Sequence, residues 1–349
     1  MTQPAPLVVF YFVTRSGSTP WAFGFRSAYI VQSRENVRML ERRTIVFSNP
    51  RLAHLEHPAF EARGERDGPH VALIAGIHGC EYSSIAAVIR FMNELDTAEL
   101  AGSITAVPVV SMQSFERRSA FVVPEDGKNL NRAFPGTYDG TYTDALARSI
   151  FDELIAPADV LIDLHGGDLV EALEPFAIYD ASPVEERARA LAIAFGLPYV
   201  VREDPADGLA GMTCSAAAHA GIPAVIAEAG GCGLLDPGAV EMLVEGTRNV
   251  LRSLEMLPGP VRPPRADMRL VGAFDWLRCR NAGFWEAAVG AGDEVGDGQL
   301  LGRVTTLHGE VQEEIQAPRD GVVLFLTTSA AVSDDGLLLG LGAELEPIV

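Results

Sequence analysis

The stretch Val71 to Glu81, VALIAGIHGCE, restricts the fold more than any other part of the chain. Its apolar run, closed by Gly76, reads as a strand buried on both faces, and such strands belong to parallel sheets covered by helices. His78 and Glu81 follow at the strand's carboxyl edge, where open α/β sheets place their ligands. An imidazole from a tight turn and a carboxylate from the start of the next helix can share one ion, and that donor pair suits zinc. Two ligands do not complete a site, so a third must come from elsewhere in the chain.

Strand and helix then alternate. Ser84 to Leu95 carries apolar residues at Ile85, Val88, Ile89, Met92 and Leu95, the three-and-four spacing of an amphipathic helix. Ile104 to Val110 reads as a strand, Thr143 to Ile155 as a helix and Val160 to Leu164 as a buried strand. Pro183 to Phe195 reads as a helix capped by Ser182, Ala224 to Ala227 as a buried strand and Pro237 to Leu257 as a long helix. The pattern predicts an α/β domain over residues 46–257, with a mixed, largely parallel sheet flanked by helices.

The composition changes at Leu257 to Arg265, LPGPVRPPR, so residues 258–265 are expected to form an extended linker. Beyond it helical periodicity disappears and β-branched runs alternate with Gly-Asp turns, which predicts a small all-β domain over residues 266–349. Residues 1–45 are expected to be an N-terminal extension. Their apolar patch, Leu7 to Val13, is too short to span a bilayer and follows no basic residue, so it reads as an edge strand or a poorly ordered segment.

With 27 Lys plus Arg against 47 Asp plus Glu, the net charge is −20, which disfavours nucleic-acid backbones and anionic membranes as partners. Cys80, Cys214, Cys232 and Cys279 are far apart and form no CxxC pair, so a reducing cytoplasm is the expected location. Lys128 is the only lysine, and it falls inside GKNLNR.

The third metal ligand has one outstanding candidate, His165 in DVLIDLHGGD, which stands to its strand as His78 stands to the first. His54, His57, His70, His219 and His308 lack comparable settings and read as structural or surface residues. Two histidines and a glutamate leave a zinc position open for water, whose pKa the metal lowers. Glu228, in AVIAEAGG directly after another buried strand, is the candidate general base, because partial desolvation raises a carboxyl pKa toward the useful range. The polar segment Phe115 to Gly136 carries arginines and asparagines without a helical or strand period. Asn131 and Arg132 are suited to hold a substrate carboxylate, and Arg117 or Arg118 to stabilise an oxyanion.

HGCE, NLNR, DLHGG and AEAGG, in that order, resemble the succinylglutamate desuccinylase/aspartoacylase family, a branch of the zinc carboxypeptidase-like fold. The resemblance covers Gly68 to Leu257, and the Gly-Asp-rich tail resembles the family's β-domain, with biotinyl/lipoyl half-barrel character. The tail has no lysine to carry biotin or lipoate, so a carrier role is not expected. The resemblance implies one Zn2+ per chain held by His78, Glu81 and His165, with Glu228 as base and proton shuttle. Asn131 and Arg132 would bind the carboxylate of a small N-acylated substrate, with Lys128 a further substrate-binding candidate, and Arg117 or Arg118 would polarise the scissile carbonyl.

Three residues depart from the family pattern. Asn129 stands where many relatives have an aspartate behind the first zinc histidine, which leaves that hydrogen bond neutral. No tyrosine follows Tyr199, so a substrate-closing tyrosine from the β-domain is missing. Cys80, between two ligands, reads as a packed small residue. The expected activity is a zinc amidohydrolase releasing a small acyl group from an N-acyl amino acid. The alternatives are a metallocarboxypeptidase acting on short peptides and a metal-dependent binding protein. Arg202 is the candidate extra cation for an acidic substrate side chain, and homo-oligomer formation stays open.

Overall fold

The structure, a computed structural model, describes residues 39–204 and 210–348; the patch Leu7 to Val13 lies outside them. An antiparallel pair, β1 (Met39–Ile45) and β2 (His57–Arg63), precedes β3 (Arg66–Ala75), α1 (Tyr82–Glu94) and β4 (Ala101–Val107). α2 (Met112–Arg117) and a loop ending in a 3-10 turn at Leu130–Arg132 lead to α3 (Tyr142–Ile150). β5 (Val160–His165), β6 (Glu171–Leu173), β7 (Phe176–Asp180), α4 (Glu185–Phe195) and β8 (Tyr199–Glu203) follow. α5 (Thr213–His219), β9 (Ala224–Glu228) and α6 (Pro237–Ser253) complete the α/β part.

β4, β3, β5 and β9 lie side by side and parallel at the centre of the main sheet, whose order is β1-β2-β4-β3-β5-β9-β7-β8 across this part. Both faces of its central strands are covered, and the side chains alternate between two apolar layers. Val71, Leu73 and Ala75 pack with residues of α1, α4 and α6, whereas Ala72 and Ile74 pack with residues of α3 and α5. A strand with a layer on each side has no solvent face, which is why its sequence is an unbroken apolar run.

The tail supplies β10 (Arg269–Arg278), β11 (Gly283–Ala287), β12 (Glu294–Val295), β13 (Leu300–Thr305) and β14 (Val311–Gln316). β15 (Gly321–Thr327), β16 (Ala331–Val332) and β17 (Leu337–Pro347) follow. The main sheet continues past the proline-rich connector: β10 runs parallel to β8, from Arg269 opposite Tyr199 to Val271 opposite Val201, and β17, β15 and β12 extend it antiparallel. β6 pairs with β15, tying the loop after β5 to the tail. β14, β13, β11 and β16 form a separate small antiparallel sheet.

Several element limits differ from the sequence reading. β1 falls within residues 1–45 and is paired to β2 along its length. The helix expected over Thr143 to Ile155 is α-helical to Ile150 and widens to a π-helical turn over Phe151–Ile155. α4 begins at Glu185 with Val184 as its N-cap, while Ser182 Oγ accepts a hydrogen bond from Val184 N in the preceding turn. α6 ends at Ser253, four residues short of Leu257. α2 and α5 are each of seven residues or fewer, too short for a sequence period to reveal them.

Candidate active site

Two glycines shape the turn that carries the first ligand. Gly76 ends β3 at φ +64°, a conformation that favours glycine, and a Cβ there would lie 2.8 Å from the Val109 Cα. Gly79 lets the backbone of α2 approach until a Cβ would sit 2.0 Å from the Phe115 nitrogen. The chain then turns sharply, leaving His78 above the strand and Glu81 at the N-cap of α1. The Glu81 side chain does not cap that helix; it points to the histidines.

His165 is the last residue of β5 and Glu228 the last of β9, and the two are opposite one another in register. Ala75 at the end of β3 is likewise opposite Leu164 of β5. Parallel neighbours in matched register end at the same edge, which brings residues distant in sequence together. His78 Nδ1 is 2.6 Å from Glu81 Oε1, and His165 Nδ1 is 3.1 Å from Glu81 Oε2. The ligand atoms of His78, Glu81 and His165 all lie within 4.8 Å of one another.

The outer nitrogen of each ring is fixed from behind. His78 Nε2 donates to Asn129 Oδ1 at 3.0 Å, and the same oxygen accepts from Asn131 N at 2.8 Å, capping the 3-10 turn. His165 Nε2 donates to Asp163 Oδ2 at 3.0 Å, which also accepts from Thr213 Oγ1 at 2.5 Å. These bonds set the tautomer that leaves both Nδ1 atoms with lone pairs facing Glu81. Burial opposes charge on His78, but the Glu81 carboxylate outweighs it and raises the imidazole pKa; His165 is raised by Asp163 and Glu81 against the same burial. Burial also pushes Glu81 up, and the two imidazoles overcome it, holding the carboxyl at about 2. The pocket therefore attracts positive charge, and its two-nitrogen, one-carboxylate donor set fits a divalent metal such as zinc.

A cavity of about 150 Å³ opens beside these groups, lined by His78, Glu81, Asn131, Arg132 and Glu228 among others. Burial pushes the Glu228 pKa up to about 8, with Glu81 and Glu171 adding to the shift and His165 opposing it. Asn131 is buried, and its Oδ1 accepts from Thr213 N at 3.0 Å; Arg132 Nη1 donates to the Asn131 carbonyl at 2.8 Å. β10 and β15 wall the far side with Phe274, Trp276 and Phe325. The tail thus lines the cavity with a tryptophan and two phenylalanines and no tyrosine.

Other sequence candidates stand apart from the cavity. Arg117 is exposed and pairs with Glu125 at 3.2 Å, while Arg118, at φ +53°, forms the C-cap of α2; neither lines the cavity. Lys128 pairs with Asp144 at 2.9 Å on the surface. Arg202 pairs with Glu185 at 2.7 Å and also lies outside the lining, so the cavity does not receive the extra cation expected of it. Cys80 is fully buried against the Ser119 carbonyl.

Asp163, Glu171 and Glu203 escaped the sequence reading. Asp163 had a signal, because positions i and i+2 of a strand share a face and DLH places an acid beside the ligand. Glu171 and Glu203 had none: each reaches the cavity only because β6 is tied to the tail and β8 lies next to β10.

Residues 67–254 match the family model of the succinylglutamate desuccinylase/aspartoacylase catalytic domain. The chain belongs to this family. It is 31% identical over 281 residues to the N-alpha-acetyl-L-2,4-diaminobutyric acid deacetylase of Halomonas elongata, covering 78% of this chain and 80% of that one. It is similar to the product-bound structure of the ectoine utilization protein EutE (DoeB) from Ruegeria pomeroyi, with a TM-score of 0.77 and 25% identity. A succinylglutamate desuccinylase from Silicibacter sp. TM1040 gives a TM-score of 0.75 and 26% identity. Each of these two structures is matched over 89% of this chain and 98% of the other.

Within this family site, the bond from His78 to a neutral amide is the feature most easily tested. Asn129→Asp would keep both hydrogen bonds and make the imidazole more basic. Zinc should then bind about tenfold more tightly, in line with the 10- to 100-fold effects of partners that orient metal-binding histidines. Competition with a chromogenic chelator measures the change, and equal or weaker binding would show that the hydrogen bond's charge does not tune the site.

Proposed function

We propose that the chain is a zinc-dependent deacylase that removes a small acyl group, acetyl in the first instance, from an N-acyl amino acid. One observation carries the reading: His78, Glu81 and His165 cluster at the edge of the sheet where Glu228 ends the strand beside His165, and His78, Glu81 and Glu228 line one small cavity there. A bound zinc supplies Lewis-acid polarisation of the amide carbonyl and acidifies water. Glu228, buried and with a raised pKa, takes the proton from the attacking water and delivers it to the departing amine nitrogen. Arg132 receives the substrate carboxylate, and Asn131, anchored to Thr213 and to the Arg132 guanidinium, holds that arginine in place. Arg117, Arg118 and Lys128, exposed and turned to Glu125, solvent and Asp144, have no part in the step as they stand.

Phe274, Trp276 and Phe325 line a cavity of about 150 Å³, a size that suits a small amide better than a peptide. Nα-acetyl-L-2,4-diaminobutyrate, the compound in the name of the Halomonas relative, is the first substrate to try. Among the described residues no helix is long and apolar enough to cross a membrane. The test is release of acetate from a panel of N-acetyl amino acids by zinc-loaded protein, beside release of free residues from short peptides. Acetate from at least one member and no peptide cleavage is the expected outcome. Peptide cleavage in its place would select the carboxypeptidase alternative.

A further inference from the structure

Hydrolysis assigns Glu81 to the metal and Glu228 to proton transfer, yet the cavity lining holds two more carboxylates, Glu171 and Glu203. Glu203, at the end of β8, is only 7% exposed. Among carboxylates it exerts the strongest charge interaction on Arg132. Glu171, on β6, lines both the cavity and the wider groove that leads to it, and its Oε2 accepts only a long bond, 3.4 Å, from Asp168 N. Among the described residues, Arg132 is the one arginine of the cavity lining, and no lysine joins it.

Aromatic rings share the lining. Trp276 lies 5.1 Å from Phe274 and 5.2 Å from Phe325, centroid to centroid, and Phe274 lies 6.4 Å from Phe176. All four rings line the cavity. Carboxylates and aromatic rings lining one largely buried space make a receptor for an organic cation, since the ring faces and the oxygens attract the same charge.

We propose that Glu203 and Glu171, with the ring of Trp276, form a subsite for a short cationic side chain, so that the preferred substrate is an N-acyl amino acid with a terminal ammonium. This rests on the deacylase reading and adds the residues that select among its substrates. Arg132 and Glu203 together present a positive and a negative group, which complements a ligand bearing a carboxylate and an ammonium a few bonds apart. Burial, aided by Glu81, keeps the Glu171 pKa up at about 7, the state of a carboxyl that an incoming cation would help to ionise.

The experiment compares kcat/KM of the zinc-loaded full chain for Nα-acetyl-L-2,4-diaminobutyrate, its uncharged analogue Nα-acetyl-L-2-aminobutyrate, and N-acetyl-L-aspartate. The ammonium compound should be favoured over both by at least about 100-fold. In Glu203→Gln the ratio of ammonium to uncharged substrate should fall at least tenfold, and Glu171→Gln and Trp276→Leu should reduce it severalfold. Calorimetry of the free amino acids provides a readout without turnover: 2,4-diaminobutyrate should bind more tightly than 2-aminobutyrate in wild type, and the gap should close in Glu203→Gln. Equal or better use of the uncharged substrate by wild type overturns the subsite, as does a ratio that survives in both glutamine variants. If no compound releases acetate, the deacylase reading fails, while calorimetry still decides whether the cavity selects the ammonium.

Discussion

Glu228→Gln is expected to lower kcat by about 10³, within the 10²- to 10⁴-fold range of positioned proton transfer, while zinc content stays at the wild-type level. The side chain sits in the cavity at the end of β9 and keeps nearly its shape on substitution, so the loss isolates the proton-transfer role from packing. The pH profile supplies a second readout. A base works only when deprotonated, so wild-type kcat/KM must fall as pH drops through the Glu228 pKa. Burial raises that pKa from 4.5 to about 8, and a cation beside it pulls it back down. The midpoint of the acidic limb is therefore expected between these values and should be absent from the residual activity of the variant. A variant that retains kcat within tenfold of wild type would remove Glu228 from the reaction.

The other large effect is on the metal. Exhaustive chelation should reduce deacylation by more than about 10³-fold, and stoichiometric zinc should restore it, because carbonyl polarisation and water activation both disappear with the ion. His165→Ala should do the same irreversibly. His165 is 1% exposed and held from behind by Asp163, so its removal deletes one ligand and leaves a buried carboxylate without its imidazole partner. A more conservative version, Asp163→Asn, keeps a hydrogen-bond acceptor behind the ring and should weaken zinc about 10- to 100-fold without abolishing binding. Metal analysis and turnover on the same samples check all three. Undiminished hydrolysis by protein shown to hold no metal would end the metalloenzyme reading.

The chain announces its central sheet plainly. Val71, Leu73 and Ala75 pack on one side and Ala72 and Ile74 on the other, so nothing polar can interrupt the run, and burial is written into consecutive letters. The same strands fix where His78, His165 and Glu228 emerge, because side chains just past neighbouring parallel strands share an edge whatever their separation in sequence. The basic residues were harder to place. Arg117, Arg118 and Lys128 sit near the motif residues in sequence, but side chains of that length turn outward to Glu125, solvent and Asp144 when they lie beyond a short helix or on a surface turn. Arg132 differs because the capped 3-10 turn at Asn129 points it inward.

What the linear order determined is the candidate ligand set, since His78 and His165 stand at or just past apolar runs that form buried strands, with Glu81 three residues after the first. What only the folded chain decided is which charges surround the substrate. The sheet runs on through β8 into β10 and on to β15, and that continuity delivers Glu203, Glu171, Trp276 and Phe325 to the same cavity. Pairing between segments 70 residues apart, as β8 with β10, or 152 apart, as β6 with β15, depends on how strands register in space, and no local pattern of residues records it.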